Sequence, residues 1–299
     1  MRSPKSEYIL TKQEVHDDAF SWLGPALRLE YEGRKCDGSV IIQILLLAAA
    51  RMVSVFAACE GLADAPTSVT VFNGLYASVP AIAELERRLN LALVTKVPRA
   101  LRRRSRIVAI DLTLIPYHGQ PAHDKKELYR NKPKSGTTKF HAYATAYVVH
   151  HGYRYTLALS RVEAGECMKE VVQRLLAIVR QRDVKIRYLL LDKGFYSVAV
   201  ITYLKRAGHG FIIPVAVRGR PKSDPKAPPT GARALLKKKN GYYGLTLTGK
   251  RGDKKGSTEL RICVANKDYL HERTGKKRRK RLLYAIHHLR RTCAFGKRA

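Results

Sequence analysis

The sequence predicts an α/β protein: a mixed sheet with flanking helices, preceded by an N-terminal helical region and followed by a small β insertion. Three observations predict it. Short segments with helical spacing of apolar residues fill the first hundred positions. At Arg106 the pattern changes to β-branched runs of strand length. Amphipathic segments then alternate with further apolar runs, the order of a sheet covered by helices.

In the first region, Ser39 is placed to cap a helix over residues 40–60 that Gly61 stops. Ala65-Pro66-Thr67 makes a turn and cap for a shorter helix to about Tyr76. Pro80 opens a third over 81–93, where Ile82, Leu85, Leu89 and Leu93 share one face. Short helices joined by turns build either a helix-turn-helix DNA reader or a plain bundle, and the spacing leaves both open. Residues 1–105 are thus a helical region and the candidate DNA-binding region.

Strands are expected at 107–115 (IVAIDLTLI), 140–150 (FHAYATAYVVH) and 153–162 (YRYTLALSRV), the last two joined by a His151-Gly152 hairpin turn. A helix over 166–182 follows, with Val171, Leu175 and Ile178 on one face. Then come a strand at 186–191 (IRYLLL), a helix over 197–206 ended by Gly208 and Gly210, and a strand at 211–217 (FIIPVAV). The order β-β-β-α-β-α-β is ribonuclease-H-like, which assigns a core to residues 106–217. Residues 218–239 are rich in Pro, Gly and Lys without apolar period, a linker. Runs at 242–247 and 259–264 with basic turns between them point to a small β insertion, so 218–281 are linker plus insertion. A last core strand at 282–288 falls within 282–299.

The 299 residues hold 57 Lys and Arg against 24 Asp and Glu, a formal charge of +33. Basic clusters recur at 99–106, 125–139, 218–226, 237–239, 250–255 and 276–281, which reads as a surplus spread along the chain. So large a charge opposes compaction unless a polyanion neutralises it, and phosphate contacts also release counterions, so nucleic acid is the expected partner. Five cysteines, an odd count without CxxC spacing, argue against a disulfide framework and fit a reducing cytosol. The charged N-terminus has no signal-peptide pattern, and the longest apolar stretch, 40–50, is too short to span a bilayer.

Two acids interrupt this apolar pattern. Asp111 sits inside IVAIDLTLI and Asp192 closes IRYLLL. A carboxylate in a buried strand is costly unless paired or bound to metal, and ligand sites in such sheets gather at strand ends. Convergence on one Mg²⁺ (or Mn²⁺) would suit phosphodiester chemistry; an ion pair with one of the many Lys or Arg residues is the plainer explanation for either acid alone. The paired histidines 150–151 and 287–288 point to opposite strand faces and cannot chelate jointly. Tyr143, Tyr147, Tyr153 and Tyr155 are strand formers that could also stack on unpaired bases. Lys134-Ser135-Gly136-Thr137-Thr138 lacks the GxxxxGK[ST] pattern of a nucleotide loop but could hold a DNA phosphate.

The segments IVAIDLTLIPYHGQP, KSGTTKFHAYATAYVV and LLLDKGFYS resemble the catalytic domain of DDE transposases of insertion sequences, in the IS-four-like and halophile-type groups. The resemblance implies a two-metal Mg²⁺ site with Asp111 and Asp192 as ligands and catalytic residues. It also implies that Lys193, Gly194, Phe195 and Tyr196 shape the second acid's loop. The implied partner is double-stranded DNA, both element ends and target, bound by a homodimer in the cytoplasm at the nucleoid, without membrane. Lys134, Lys139, Lys193, Tyr196, Arg218 and Arg220 are the candidate DNA contacts. The third acid of the family lies in a tyrosine-arginine-glutamate pattern after the last core strand. Here Leu289-Arg290-Arg291 follows that strand, and Asp253, Glu259, Asp268 and Glu272 do not match the pattern. The expectation is a chain truncated before its third acid: an inactive transposase, or a DNA-binding remnant that inhibits transposition. A basic RNA-binding structural protein is the third possibility, disfavoured by the paired strand acids.

Overall fold

The structure, a computed structural model, describes residues 11–121, 124–219, 229–249, 255–270, 275 and 277–288. Two compact units divide it, Met1–Lys96 and Val97–Ala299.

The first unit is helical: α1 (Lys12–Leu27), α2 (Gly38–Arg51), α3 (Val55–Glu60), α4 (Ser68–Ser78) and α5 (Ile82–Thr95). Helix α1 starts with a capping box in which Thr11 and Glu14 satisfy each other's backbone N–H groups. The single helix expected over 40–60 is two. Met52 adopts a left-handed conformation (φ 55°) that ends α2, and Ser54 accepts from the Ala57 N–H to start α3. Asp37, rather than Ser39, caps α2 by accepting from Val40 N–H at 2.8 Å. A small core gathers Cys36, Ile41, Ile44, Ala48, Ala58, Cys59 and Val71. Helices α2 and α4 approach closely at Gly74, where a Cβ would lie 2.6 Å from Ile41 Cδ1.

The second unit is built on one nine-stranded mixed sheet. Its strands are β1 (Arg106–Pro116), β2 (Tyr129–Lys134), β3 (Thr137–His150), β4 (Tyr153–Val162), β5 (Ile186–Leu191), β6 (Phe211–Pro214), β7 (Gly241–Gly249), β8 (Gly256–Leu270) and β9 (Lys277–His287). The path runs β2-β3-β1-β5-β6-β9-β8-β7, with β4 also on β3. Strands β1, β5 and β6 are parallel; the other pairs are antiparallel. Helices α6 (Met168–Arg180) and α7 (Val198–Arg206) make the crossovers, as the alternation of elements predicts. Helix α6 buries Val171, Val172, Leu175, Leu176 and Val179; these join Val108, Ile110, Ala144, Ala146, Leu189, Leu191 and Phe211 in the main core. Each large side chain fully buried there contributes about 1.5–3 kcal/mol.

Four features of this unit depart from the sequence reading. Strand β2 was not expected; it pairs with β3 through a turn in which Ser135 (φ 51°) and Gly136 (φ 77°) are both left-handed, so the KSGTT segment is a hairpin. Strand β6 stops at Pro214, three residues early, although the Val215 N–H still donates to the Leu283 carbonyl of β9 at 2.8 Å. The expected insertion strands extend the core sheet itself: β8 pairs with β9 and β9 with β6, and Leu260, Ile262 and Val264 belong to the main core. Within the expected linker, a short helix, α8 (Ala232–Leu235), buries Ala232 and Leu235 in the same core.

Candidate metal and nucleic-acid site

The sheet alternates faces, and this alternation places the acids. Ile110 of β1 pairs with Leu191 of β5, and both are buried on the helix-covered face. The next residues, Asp111 and Asp192, therefore project to the opposite face from neighbouring parallel strands. Asp192 lies one residue past β5 but stays in register, its N–H donating to the Ile110 carbonyl at 3.3 Å. Adjacent strands are about 4.8 Å apart, so the two carboxylates stand side by side. Asp111 is half-buried and accepts from Leu112 N–H at 2.9 Å; Asp192 is exposed and accepts from Gly194 N–H at 3.3 Å. The short Asp192 loop turns tightly through Lys193–Phe195, with Phe195 anchored in the core. Among the described residues neither acid has a Lys or Arg ion-pair partner, despite the excess of cations. Two adjacent carboxylates on an open face without a salt bridge are a donor set that fits a hard divalent cation.

The sequence candidates around this pair fall in different places. Lys193 is exposed beside Asp192, and Lys134 is exposed at the β2–β3 turn. Lys139 lies on the same sheet face as Asp111, but its Nζ donates to the Gly119 carbonyl and to Gln120 Oε1, both at 3.1 Å, and holds that loop. Arg218 is exposed, past the end of β6. Tyr196 is a correction: it is 4 % exposed within the core, so its ring packs and cannot meet DNA. Burial pushes its hydroxyl up to about 12. Arg220 lies outside the described residues.

No third carboxylate completes the pair among the described residues. Glu259 on β8 pairs across β9 and β6 to the level of Tyr188 rather than Asp192. That is roughly 13 Å along the strands and about 14 Å across them from Asp192. Asp268 is engaged by Arg279, 2.7 Å away on β9. Asp253 and Glu272 lie outside the described residues.

The face shared with Asp111 also carries Thr145 and Arg154, which the sequence reading passed over, beside Tyr143 and Tyr147, read there as strand formers able to stack on bases. Thr145 of β3 is the direct partner of Asp111, and Tyr143 partners Thr113. His141 packs on Tyr117 with ring centroids 4.6 Å apart; burial and nearby Arg161 hold its imidazole below the usual histidine range. Arg154, reaching from β4, lies 3.7 Å over the Tyr147 ring and donates to Thr145 Oγ1 at 3.0 Å. The signal was present: in FHAYATAYVV the small residues Ala142, Ala144 and Ala146 alternate with His141, Tyr143, Thr145 and Tyr147, which fixes an outward polar stripe.

The positive charge is not evenly spread. Residues 1–96 hold 10 Lys and Arg against 11 Asp and Glu, a net −1; residues 97–299 hold 47 against 13, a net +34. Helix α4 has no Lys or Arg, and the two arginines of α5, Arg87 and Arg88, are both paired with Glu84. Among the described residues no helix is long and apolar enough to cross a membrane.

Comparison with curated proteins gives no match. Among solved structures, a similar one is the piggyBac transposase synaptic complex with hairpin DNA, determined by cryo-EM, with 10% identity and a TM-score of 0.42. The similarity covers 95% of this chain and 54% of that one, so this chain spans about half that length. The Transposase DDE domain family matches residues 102–290, most of the chain and nearly all of its second unit, and the chain belongs to that family.

Proposed function

We propose that the second unit is the catalytic core of an insertion-sequence DNA transposase of the IS-four-like and halophile-type group, acting in the cytoplasm at the nucleoid. Asp111 and Asp192 hold Mg²⁺ or Mn²⁺ in it. The observation that carries this is the placement of two acids on neighbouring strands, in register, on an open face, without a cationic partner among the described residues. A cation bound there supplies Lewis-acid activation of the attacking oxygen and charge stabilisation at the leaving one. The protein's own backbone orients the two acids: Gly194 N–H fixes the Asp192 carboxylate, and Leu112 N–H fixes that of Asp111. The exposed Lys193, Lys134 and Arg218 offer charge to the DNA backbone. Double-stranded DNA is the polyanion that answers the +34 of this unit, and a homodimer would bring two element ends together. In an active relative of the family, the Ala or Asn replacement of the acid matching Asp111 or Asp192 should abolish metal-dependent cleavage without weakening metal-free DNA binding, since a negative charge facing phosphate is removed. Retained cleavage in both variants would defeat the assignment.

For the 299-residue chain the reading is narrower: it binds DNA without cutting it, as an inactive transposase or an inhibitor of transposition. The position of Glu259, far from the acid pair, and the Asp268–Arg279 pair favour this. Two carboxylates hold two metals poorly. The assay is Mg²⁺- or Mn²⁺-dependent nicking of a duplex carrying the element end. Robust nicking that disappears in Asp192→Ala would show that another acid completes the site.

A further inference from the structure

We propose that Arg154 is a substrate-positioning residue whose guanidinium holds a non-bridging oxygen of the phosphodiester lying on the Asp111–Asp192 pair. The inference rests on the metal-site reading above and adds a residue that the DDE pattern does not include. Asp192, Asp111 and Thr145 stand in one row across β5, β1 and β3, by direct register. The guanidinium of Arg154 reaches the end of that row, 3.0 Å from Thr145 Oγ1. It therefore lies about one strand spacing beyond Asp111, on the same face.

The arrangement is specific in three respects. Arg154 starts on β4 opposite Val149 and, though exposed, is laid back along the face over Tyr147 to Thr145, the strand neighbour of Asp111. The ring below the guanidinium and the threonine hydroxyl at its edge restrict its rotamers, so less entropy is lost when it binds. The single donation to Thr145 leaves the other N–H donors of the planar fork available for a phosphate, which such a fork can engage bidentately. No acid among the described residues pairs with it. A cation this near a bare carboxylate pair, but not neutralising it, is arranged for a third, anionic party.

A matched cation exists elsewhere in the unit. Arg261 lies 4.4 Å over the Tyr242 ring, on β8, far from the acids. It has the same chemistry without the neighbourhood and serves as the control.

The experiment measures affinity of the full chain for a random-sequence duplex by fluorescence anisotropy, in EDTA and in Ca²⁺, an oxygen-seeking cation that can bridge carboxylates and phosphate. The wild type should bind more tightly with Ca²⁺, and Asp192→Ala should lose that gain. Arg154→Ala should lose most of it, by about tenfold, the scale of one charge-assisted hydrogen bond. Arg154→Lys should recover only part, because the fork is gone, and Thr145→Val should fall between, with melting temperatures unchanged. Arg261→Ala should weaken binding equally with and without Ca²⁺. If Arg154→Ala also weakens both equally, Arg154 is a general surface cation and the inference is overturned. If the wild type shows no gain, or Asp192→Ala keeps it, the metal-site reading fails and this inference falls with it.

Discussion

The two units make opposite use of surface charge. The first is nearly neutral, at −1, and three of its cations sit in internal pairs: Arg87 and Arg88 both bind Glu84, and Lys96 binds Asp18. The second carries +34 with few acids to offset it, and two of those acids, on an open sheet face, have no Lys or Arg ion-pair partner among the described residues. The contrast teaches where the polyanion goes. A helical region with short turns resembles a DNA reader in outline, but α4 carries no Lys or Arg and the arginines of α5 are tied to Glu84, where a reader needs cations free for phosphate. On the proposed DNA-binding reading, the polyanion is answered by the sheet unit.

Charge gives the largest expected effect. In the full chain, replacing Lys237, Lys238 and Lys239 together with Ala should flatten the log–log salt dependence of duplex binding by up to about 2.7, roughly 0.9 for each phosphate contact. Replacing Arg34, Lys35 and Arg51, which are equally exposed in the first unit, should leave the slope nearly unchanged. Equal flattening by both sets would erase the distinction between the units.

Packing sharpens the comparison next. Leu189 is fully buried at the centre of β5, and Leu189→Ala should cost about 2–5 kcal/mol in urea unfolding of the second unit. The chain's single tryptophan, Trp22, lies on α1 and donates to the Ala92 carbonyl at 2.7 Å, so its fluorescence reports the first unit alone. That signal should keep its midpoint in Leu189→Ala, while far-ultraviolet circular dichroism shows the loss. A smaller effect with the reverse pattern is expected for Gly74→Ala. Its new methyl meets Ile41 at 2.6 Å, an overpacking worth about 1–3 kcal/mol, and it should move the Trp22 transition. A shift of the second unit's transition by the same amount would mean that the two cores unfold together.

Much of the sheet unit was legible because each strand carries its own signal. IVAIDLTLI and IRYLLL are continuous apolar runs bearing one acid each, and parallel central strands buried in a sheet have that composition. His151-Gly152 marked a hairpin because left-handed pairs of this kind are a local property, and both residues do have positive φ. What was not legible depends on partners distant in sequence. Strand β2, YRNKPK, has no apolar period and is exposed almost throughout; it is a strand only because β3 offers an edge. The attachment of β8 and β7 to the core follows from β9 pairing with β6, a register that no local pattern encodes. Tyr196 looked like a DNA contact from its motif position and proved to be core, since alternation is lost in the turn after Asp192. The break at Met52 was hidden because 40–60 contains neither Gly nor Pro; only Ser54 hinted at a second cap.

Acid titration gives the smallest effect and separates the units by the sign and place of their pKa shifts. In the second unit His141, His209 and His287 are all held below the usual histidine range, first by burial and then by nearby cations: Arg161 for His141, Arg180 for His209, and His288 and Lys205 for His287. A histidine harder to protonate when folded binds its proton preferentially in the unfolded chain. Its contribution is complete above the unfolded value of about 6.5 and is lost as pH falls from there. The first unit has the opposite group. Hydrogen bonds from Arg87 and Arg88 lower the Glu84 carboxyl to about 2, so its contribution persists above the unfolded value of about 4.3 and is lost only as pH falls towards about 2. Between pH 7.5 and 5 the second unit's urea midpoint should fall while the Trp22 midpoint holds. Below about pH 4 both should fall, because Asp268 of the second unit, lowered by its hydrogen bond to Arg279, titrates in that range too. His209→Gln keeps a polar side chain but cannot titrate, and should remove part of the upper loss without touching the lower one. A Trp22 midpoint that tracks the histidine window would assign the acid sensitivity to the wrong unit and remove this distinction between them.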